Sequence, residues 1–199
     1  IREYIRNFIM STLETNLIQP STGTSLTIGA SGDTITIPSG ATLANSGTAT
    51  GFGVNTPAFF AHSASDQGSV SDDTYTKVTL GTEVFDTDSA FASSKFTVPS
   101  GKAGKYFLYG SVRGQVGGNS DMNNSYSALY LNGSIYIENR MNFQANPVRL
   151  STNLIHVVMD LSVGDYVELY AAIDHAGSYG IEIGSALKGT SFGGYKIIE

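Results

Sequence analysis

Cysteine is absent from this chain, which removes disulfides, thiolate nucleophiles and thiolate metal ligands and leaves the redox compartment open. Charge is sparse as well: Asp, Glu, Lys and Arg make up 14% of the 199 residues, and the net charge is −6. Nucleic acid is therefore not an expected partner, because tracking phosphates requires clustered Lys and Arg. No apolar run approaches the roughly 20 residues that span a bilayer, so insertion of a helix into a membrane is not expected either. The opening IREYIRNFIM is too short and too charged for a secretory signal. Stability has to come from packing, within one chain or between chains.

What is present is glycine, 23 residues of it, in a chain that is 41% hydrophobic; such a composition indicates a turn-rich, β-rich globular protein. Residue size and charge density change near residue 52, and three regions follow: an N-terminal attachment segment (1–20), a Ser/Thr/Gly-rich stalk (21–55) and a head (56–199). In the first, Ile1, Ile5, Phe8 and Ile9 recur at spacings of three and four, the pattern of one helical face. A helix that short needs a partner, so the segment is read as helical or extended. Two origins stay open for it: an anchor or trimer seam, or a remnant upstream of a natural start at Met10. Pro20 ends whatever precedes it.

The stalk reads TSLTIGAS, GDTITIPS, GATLANSG, with Ser-Gly steps at 31–32, 39–40 and 46–47. Leu26, Ile28, Ile35, Ile37 and Leu43 alternate with Thr, Ser or Ala, as on a strand with one buried face. One copy supplies too few aliphatic groups to offset ordering a backbone at about 1–2 kcal/mol per residue. A flexible linker is the plain alternative, but a linker has no need of Ile-Thr-Ile and Leu-Thr-Ile triplets. The expectation is a thin stalk in which strands from several chains intertwine around those five residues.

From Pro57 the strand signals are dense and show no helical period. The run GKYFLYGSVRGQVGG places Tyr106, Leu108, Val112 and Val116 on one face and Phe107, Tyr109 and Arg113 on the other. Asn132-Gly133 lies between two apolar runs, a strong hairpin signal, and Gly164-Asp165 repeats the idea. About ten strands are expected, forming an all-β jelly-roll sandwich. Five stretches, in this order, carry a resemblance: PAFFA (57–61), SSKFTVPSGKAGKYFLYGSV (93–112), LYLNG (129–133), LSVGDYVEL (161–169) and SFGGYKI (191–197). Together they resemble the C1q-type globular head of the complement and tumour-necrosis-factor superfamily, which implies a ten-stranded jelly roll associating as a homotrimer. No collagen-like Gly-X-Y run precedes it here. The Ser/Thr/Gly/Ile stretch in that place is similar to segments of bacteriophage fibres, which implies a virion appendage.

A search for chemistry yields no catalytic residues, no metal site and no cofactor. His62, His156 and His175 are far apart and fit no zinc spacing; His156 reads as a strand residue. No nucleophile elbow occurs, and SGKAGKYF lacks the spacing of a phosphate loop and leads into a strand. Asp72 with Asp73 and Asp86 with Asp88 fail the calcium-loop spacing, since the twelfth position from Asp86 is Thr97; they read as loop acids. Recognition usually sits on long loops of a rigid sandwich. GGNSDMNNSY (117–126), NFQANP (142–147) and DHAGSYG (174–180) are read as such loops, offering Asn119, Asp121, Asn123, Asn124, Asn142, Gln144, Asp174, His175 and Tyr179 for hydrogen bonding and stacking to a ligand.

The function expected from the sequence is a non-enzymatic, trimeric structural protein at the surface of a virion. Its partners are itself, other virion proteins through residues 1–20, and a host-surface glycan or protein at the knob. The alternative is a secreted or cell-surface adhesion protein built on the same head. A glycan-processing enzyme is the third class, and no carboxylate pair or nucleophile can be placed for it.

Overall fold

The computed structural model describes residues 18–47, 55–117, 121–175 and 181–197, and the chain divides into two units, Ile1–Thr50 and Gly51–Glu199. The expected helical face of Ile1, Ile5, Phe8 and Ile9 lies outside the described residues. In the first unit, two of the Ser-Gly steps form the turns read from the sequence. Asp33 N donates to Ala30 O and Ala41 N to Pro38 O, each at 3.1 Å, with Gly32 and Gly40 at φ of 94° and 84°, where a side chain would be strained. The Asp33 carboxylate tightens the first turn by accepting from Ala30 N at 2.7 Å. Between the turns the described residues form no strand, which differs from the expected β-segments. A ladder needs a neighbouring backbone, and a single copy offers none. Leu26, Ile28, Ile35, Ile37 and Leu43 are accordingly exposed, from 45% at Leu26 to 67% at Leu43.

The second unit is an antiparallel sandwich. Its strands are β1 (Ala58–His62), β2 (Gln67–Val70), β3 (Thr76–Lys77), β4 (Thr82–Asp86), β5 (Phe91–Ala92), β6 (Lys95–Thr97) and β7 (Gly104–Val116). They continue as β8 (Met122–Leu131), β9 (Ser134–Asn142), β10 (Leu150–Leu161), β11 (Tyr166–His175), β12 (Ile181–Ile183) and β13 (Ser191–Lys196). The count exceeds the expected ten or so because β2, β3, β5 and β12 have four residues or fewer, too few to leave a period in the sequence. A seven-stranded sheet runs β2-β12-β7-β13-β1-β4 with β10 on the other side of β7; a six-stranded sheet runs β5-β6-β11-β8-β9 with β3 beside β11.

Alternation along β7 matches the sequence reading. Tyr106, Leu108, Val112 and Val116 are at most 1% exposed and face the other sheet, while Phe107, Tyr109 and Arg113 face outward. Opposite them, Leu129, Val167, Leu169 and Ile173 are fully buried, so the core is the space between the two sheets. Gly194, in the closing strand, has no room for a side chain, since a Cβ there would lie 2.7 Å from the Phe107 carbonyl. At the open edge of the sandwich Asn153 of β10, itself fully buried, donates to Ser125 O at 2.7 Å, and Asn139 of β9 donates to Leu154 O at 2.7 Å. Side-chain amides thus bridge the two sheets at this edge, beside the core residue Ile155.

Two of the sequence turns turn out to be one structure. Asn132 and Gly133 both have positive φ (51° and 83°), as a two-residue hairpin turn requires. The Asn132 amide then donates to Asp165 Oδ1 at 2.8 Å and accepts from Tyr166 N at 3.0 Å, tying the β8–β9 turn to the β10–β11 turn. Asp165 also accepts from Ser162 N at 2.8 Å. The Asn132 amide first, and the Ser162 N–H second, hold the Asp165 carboxyl below its ordinary value of 3.8. Because the folded value is depressed, this stabilisation is present above 3.8 and is lost as the pH falls through the folded value.

Two outcomes are expected. Asp165→Ala lowers Tm at pH 7, and its deficit relative to the parent narrows below about pH 4; a deficit that stays constant down to pH 2 contradicts the turn-to-turn account. Gly194→Ala forces β13 away from β7 and destabilises the head by about 1–3 kcal/mol in urea titration; an unchanged midpoint contradicts the close approach.

Candidate functional site

The residues offered by the three candidate loops fall largely at one end of the six-stranded sheet. Ladder register does this: Asn124 of β8 pairs with Asn142 of β9 on one side and Asp174 of β11 on the other, and Met122 pairs with His175. Asn119 and Tyr179 lie outside the described residues. The loops themselves are shorter than expected. Strand β8 begins at Met122, inside GGNSDMNNSY, and Asp174 and His175 still belong to β11, because inter-strand hydrogen bonding overrides the turn preference of Asn and Asp.

Asn124 is the hub of this end, and it is only 2% exposed. Its Nδ2 donates to the Asp174 carboxylate, while its Oδ1 accepts from Arg140 Nε at 3.2 Å and Nη2 at 2.9 Å. One amide thereby bridges a carboxylate and a guanidinium. The backbone carbonyl of Asn123 accepts from Phe143 N at 2.7 Å, and Asn142 Oδ1 accepts from Gln144 N at 3.1 Å, so both shape the β9–β10 loop. Gln144 is exposed. His175 N donates to Asp72 Oδ1 at 3.0 Å, with the His175 ring nitrogen 4.0 Å from the same oxygen. Asp121 is half-buried, and among the described residues its Oδ1 has no hydrogen-bond partner.

The other acids of the sequence search, Asp86 and Asp88, hold their own loop. Asp86 accepts from Phe91 N at 2.7 Å, and Asp88 pairs with Lys102 at 3.0 Å. Burial raises the Asp88 carboxyl, but the Thr87 hydroxyl and Lys102 outweigh it and hold the group below its ordinary value. Among the described residues no three His, Asp or Glu are placed to hold a metal ion, and no helix is long and apolar enough to cross a membrane.

Sequence reasoning missed a second surface, the outer face of the seven-stranded sheet. Its rings form a connected set: Phe60–Tyr109 at 6.4 Å, Phe107–Tyr109 at 6.0 Å and Phe107–Tyr195 at 5.6 Å. Phe85, Val158 and Leu154 extend it and are about half exposed or more, Leu154 at 62%. His156 stands beside Phe107 at 6.3 Å, a strand residue as expected. Beyond Leu154 a groove of about 250 Å³ opens between the sheet edges, lined by Ile137, Glu138, Asn139, Leu154, Ile155 and His156. The signal was available: alternation in β7 and β10 turns these apolar residues outward, where a monomer gains nothing by burying them.

Three solved structures are similar to this fold. Murine APRIL at pH 5.0 superposes with a TM-score of 0.50 at 12% identity, covering 70% of this chain and 98% of that one. The Eiger TNF of S. frugiperda gives 0.50 at 11% identity, covering 71% and 92%. The globular domain of the zebrafish complement 1qA protein gives 0.48 at 16% identity, covering 72% and 99%. On the first two, the head has the jelly-roll fold seen in APRIL and the Eiger TNF; at these identities the likeness is one of fold. No family model and no curated protein sequence matches the chain.

Replacing Asn124 with Ala leaves the Asp174 carboxylate and the Arg140 guanidinium without their bridge. The expected cost is about 1–3 kcal/mol, read from urea unfolding; a parent-like midpoint contradicts the hub.

Proposed function

We propose that this chain is a non-enzymatic structural protein of a virus particle, a homotrimeric bacteriophage fibre or head appendage. In this reading residues 1–20 attach it to other virion proteins, residues 21–55 form an intertwined stalk, and the jelly-roll knob faces outward toward a host-surface receptor. One observation carries the reading: every described Ile and Leu of residues 18–47 is exposed although the turns between them are formed. A repeat that fixes its turns and leaves its aliphatic groups uncovered is suited to wrapping with copies of itself, since burial of each such group is worth about 1.5–3 kcal/mol. The aromatic face of the seven-stranded sheet supports self-association of the knob in the same way. Three is the number of copies that the C1q-type resemblance implies. Three knobs presented together gain effective concentration, so each contact with a host can be weak.

Gold-labelled antibody against the knob, applied to intact particles of the source virus, is expected to decorate projecting appendages; particles that carry none of the chain overturn the assignment. For the stalk, Ile35→Asp or Ile37→Asp is expected to speed proteinase K cleavage within residues 21–47 while the knob melts as in the parent. Equal cleavage rates in parent and variants identify that stretch as a linker.

A further inference from the structure

The outer face of the six-stranded sheet is built differently from that of its neighbour. Alternation turns Tyr126 and Tyr130 of β8 and Tyr166 and Tyr170 of β11 outward, since Leu129, Val167, Leu169 and Ile173 point into the core. A fifth ring arrives from just before β3: Tyr75 lies 5.9 Å from Tyr126 and 6.1 Å from Tyr130, and its hydroxyl donates to Glu138 of β9. Tyr130 and Tyr170 stack at 3.8 Å. Ala128 and Ala172 occupy outward positions between these rings and are at most 1% exposed, so the tyrosines lie low over a floor of small side chains. All five tyrosines are half-buried.

Most of the charge on this face is engaged. Lys77 pairs with Glu168 at 2.6 Å, Lys95 sits 4.8 Å over the Tyr166 ring, and the Arg140 guanidinium sits 5.3 Å over the Tyr126 ring while donating to Asn124. Glu138 is held by Tyr75 and Asp174 by Asn124. With Asp73, whose charge also acts on Tyr126, the face carries one net negative charge, too little to draw a strongly ionic partner. No outward position of β8 or β11 exposes a large aliphatic group, and the exposed Ile135 and Tyr136 lie on the edge strand β9, so along the two tyrosine-bearing strands a second copy of this chain finds no aliphatic group to bury. A partner that fits offers flat C–H faces to the rings and uncharged hydroxyls to the polar rim.

We propose that this tyrosine face is a binding platform for a neutral pyranose glycan. The sugar rings lie against Tyr126, Tyr130 and Tyr170, with hydroxyls reaching Glu138, Arg140 and the phenolic oxygens. The proposal rests on the outward-facing knob of the previous section for the source of the glycan, a host surface, and on the geometry above for the site.

The test uses the full chain with ¹³C-labelled tyrosine rings, titrated with maltohexaose, cellohexaose and chitohexaose. At least one of these is expected to shift Tyr126, Tyr130 and Tyr170 while leaving Tyr109 and Tyr195 on the opposite sheet in place. Tyr126→Ala is expected to weaken that binding about tenfold or more, and Arg140→Gln, at an exposed position, to weaken it less; the second variant stands if the first fails to fold. The proposal is overturned if none of the three oligosaccharides shifts these rings, if the shifts fall on Tyr109 and Tyr195, or if both folded variants bind like the parent. A silent titration by a chain whose antibody labels particles removes the platform and leaves the appendage; a sugar response from a chain absent from particles does the reverse.

Discussion

Phe59 of β1 stacks on Phe96 of β6 at 4.8 Å and on Phe91 of β5 at 5.1 Å, and it meets Phe192 of β13 edge-on at 5.0 Å. These four rings join the first strand, the closing strand and the far sheet in one contact, and the rest of the head depends on it. Phe59, Phe96 and Phe192 are no more than 1% exposed, and each contributes about 1.5–3 kcal/mol by burial, with a further contribution from ring geometry. With β1 held between β13 and β4, the seven-stranded sheet is completed from both ends of the head's sequence. Its outer face then becomes a continuous surface instead of two loose edges.

From that arrangement the two outer faces acquire different characters. The seven-stranded sheet shows Phe, Val and Leu beside tyrosine, a surface that loses free energy by staying wet. The six-stranded sheet shows tyrosine and paired charges along β8 and β11, with Ile135 and Tyr136 exposed on its edge strand β9, a surface more polar and rich in stacking area. On the proposed reading, one face meets copies of the chain and the other a polar ligand. The polar end of the sheet, where Asn124 bridges Asp174 and Arg140, fixes the strands that carry the tyrosines and shares Arg140 with the tyrosine face.

Much of the fold was legible because local chemistry and tertiary structure agree. The row Tyr106, Leu108, Val112 and Val116 could be read from alternation alone, and Asn132-Gly133 from the positive φ that a tight hairpin demands. What was not legible depends on residues far apart in sequence. Tyr75 reaches Glu138 across 63 positions and Asn132 reaches Asp165 across 33, and no local pattern announces either. Asn124 illustrates the same limit at the candidate site: read as a loop donor, it lies in a strand, its amide committed to partners that only the register supplies. The tyrosine face lay between these cases, since the spacing of Tyr126 to Tyr130 and of Tyr166 to Tyr170 sets each pair on one side of a strand, whereas their convergence needed the β8–β11 pairing.

The Ser/Thr/Gly-rich segment is where sequence and single-chain structure part, and it is also where the central proposal is most exposed. Its turns form in one copy and no strand forms between them; identical neighbours are what the proposed trimer would add. Native mass measurement of the full chain addresses this directly. A mass of three chains that persists on dilution is the result the account predicts; a stable monomer at micromolar concentration would contradict it.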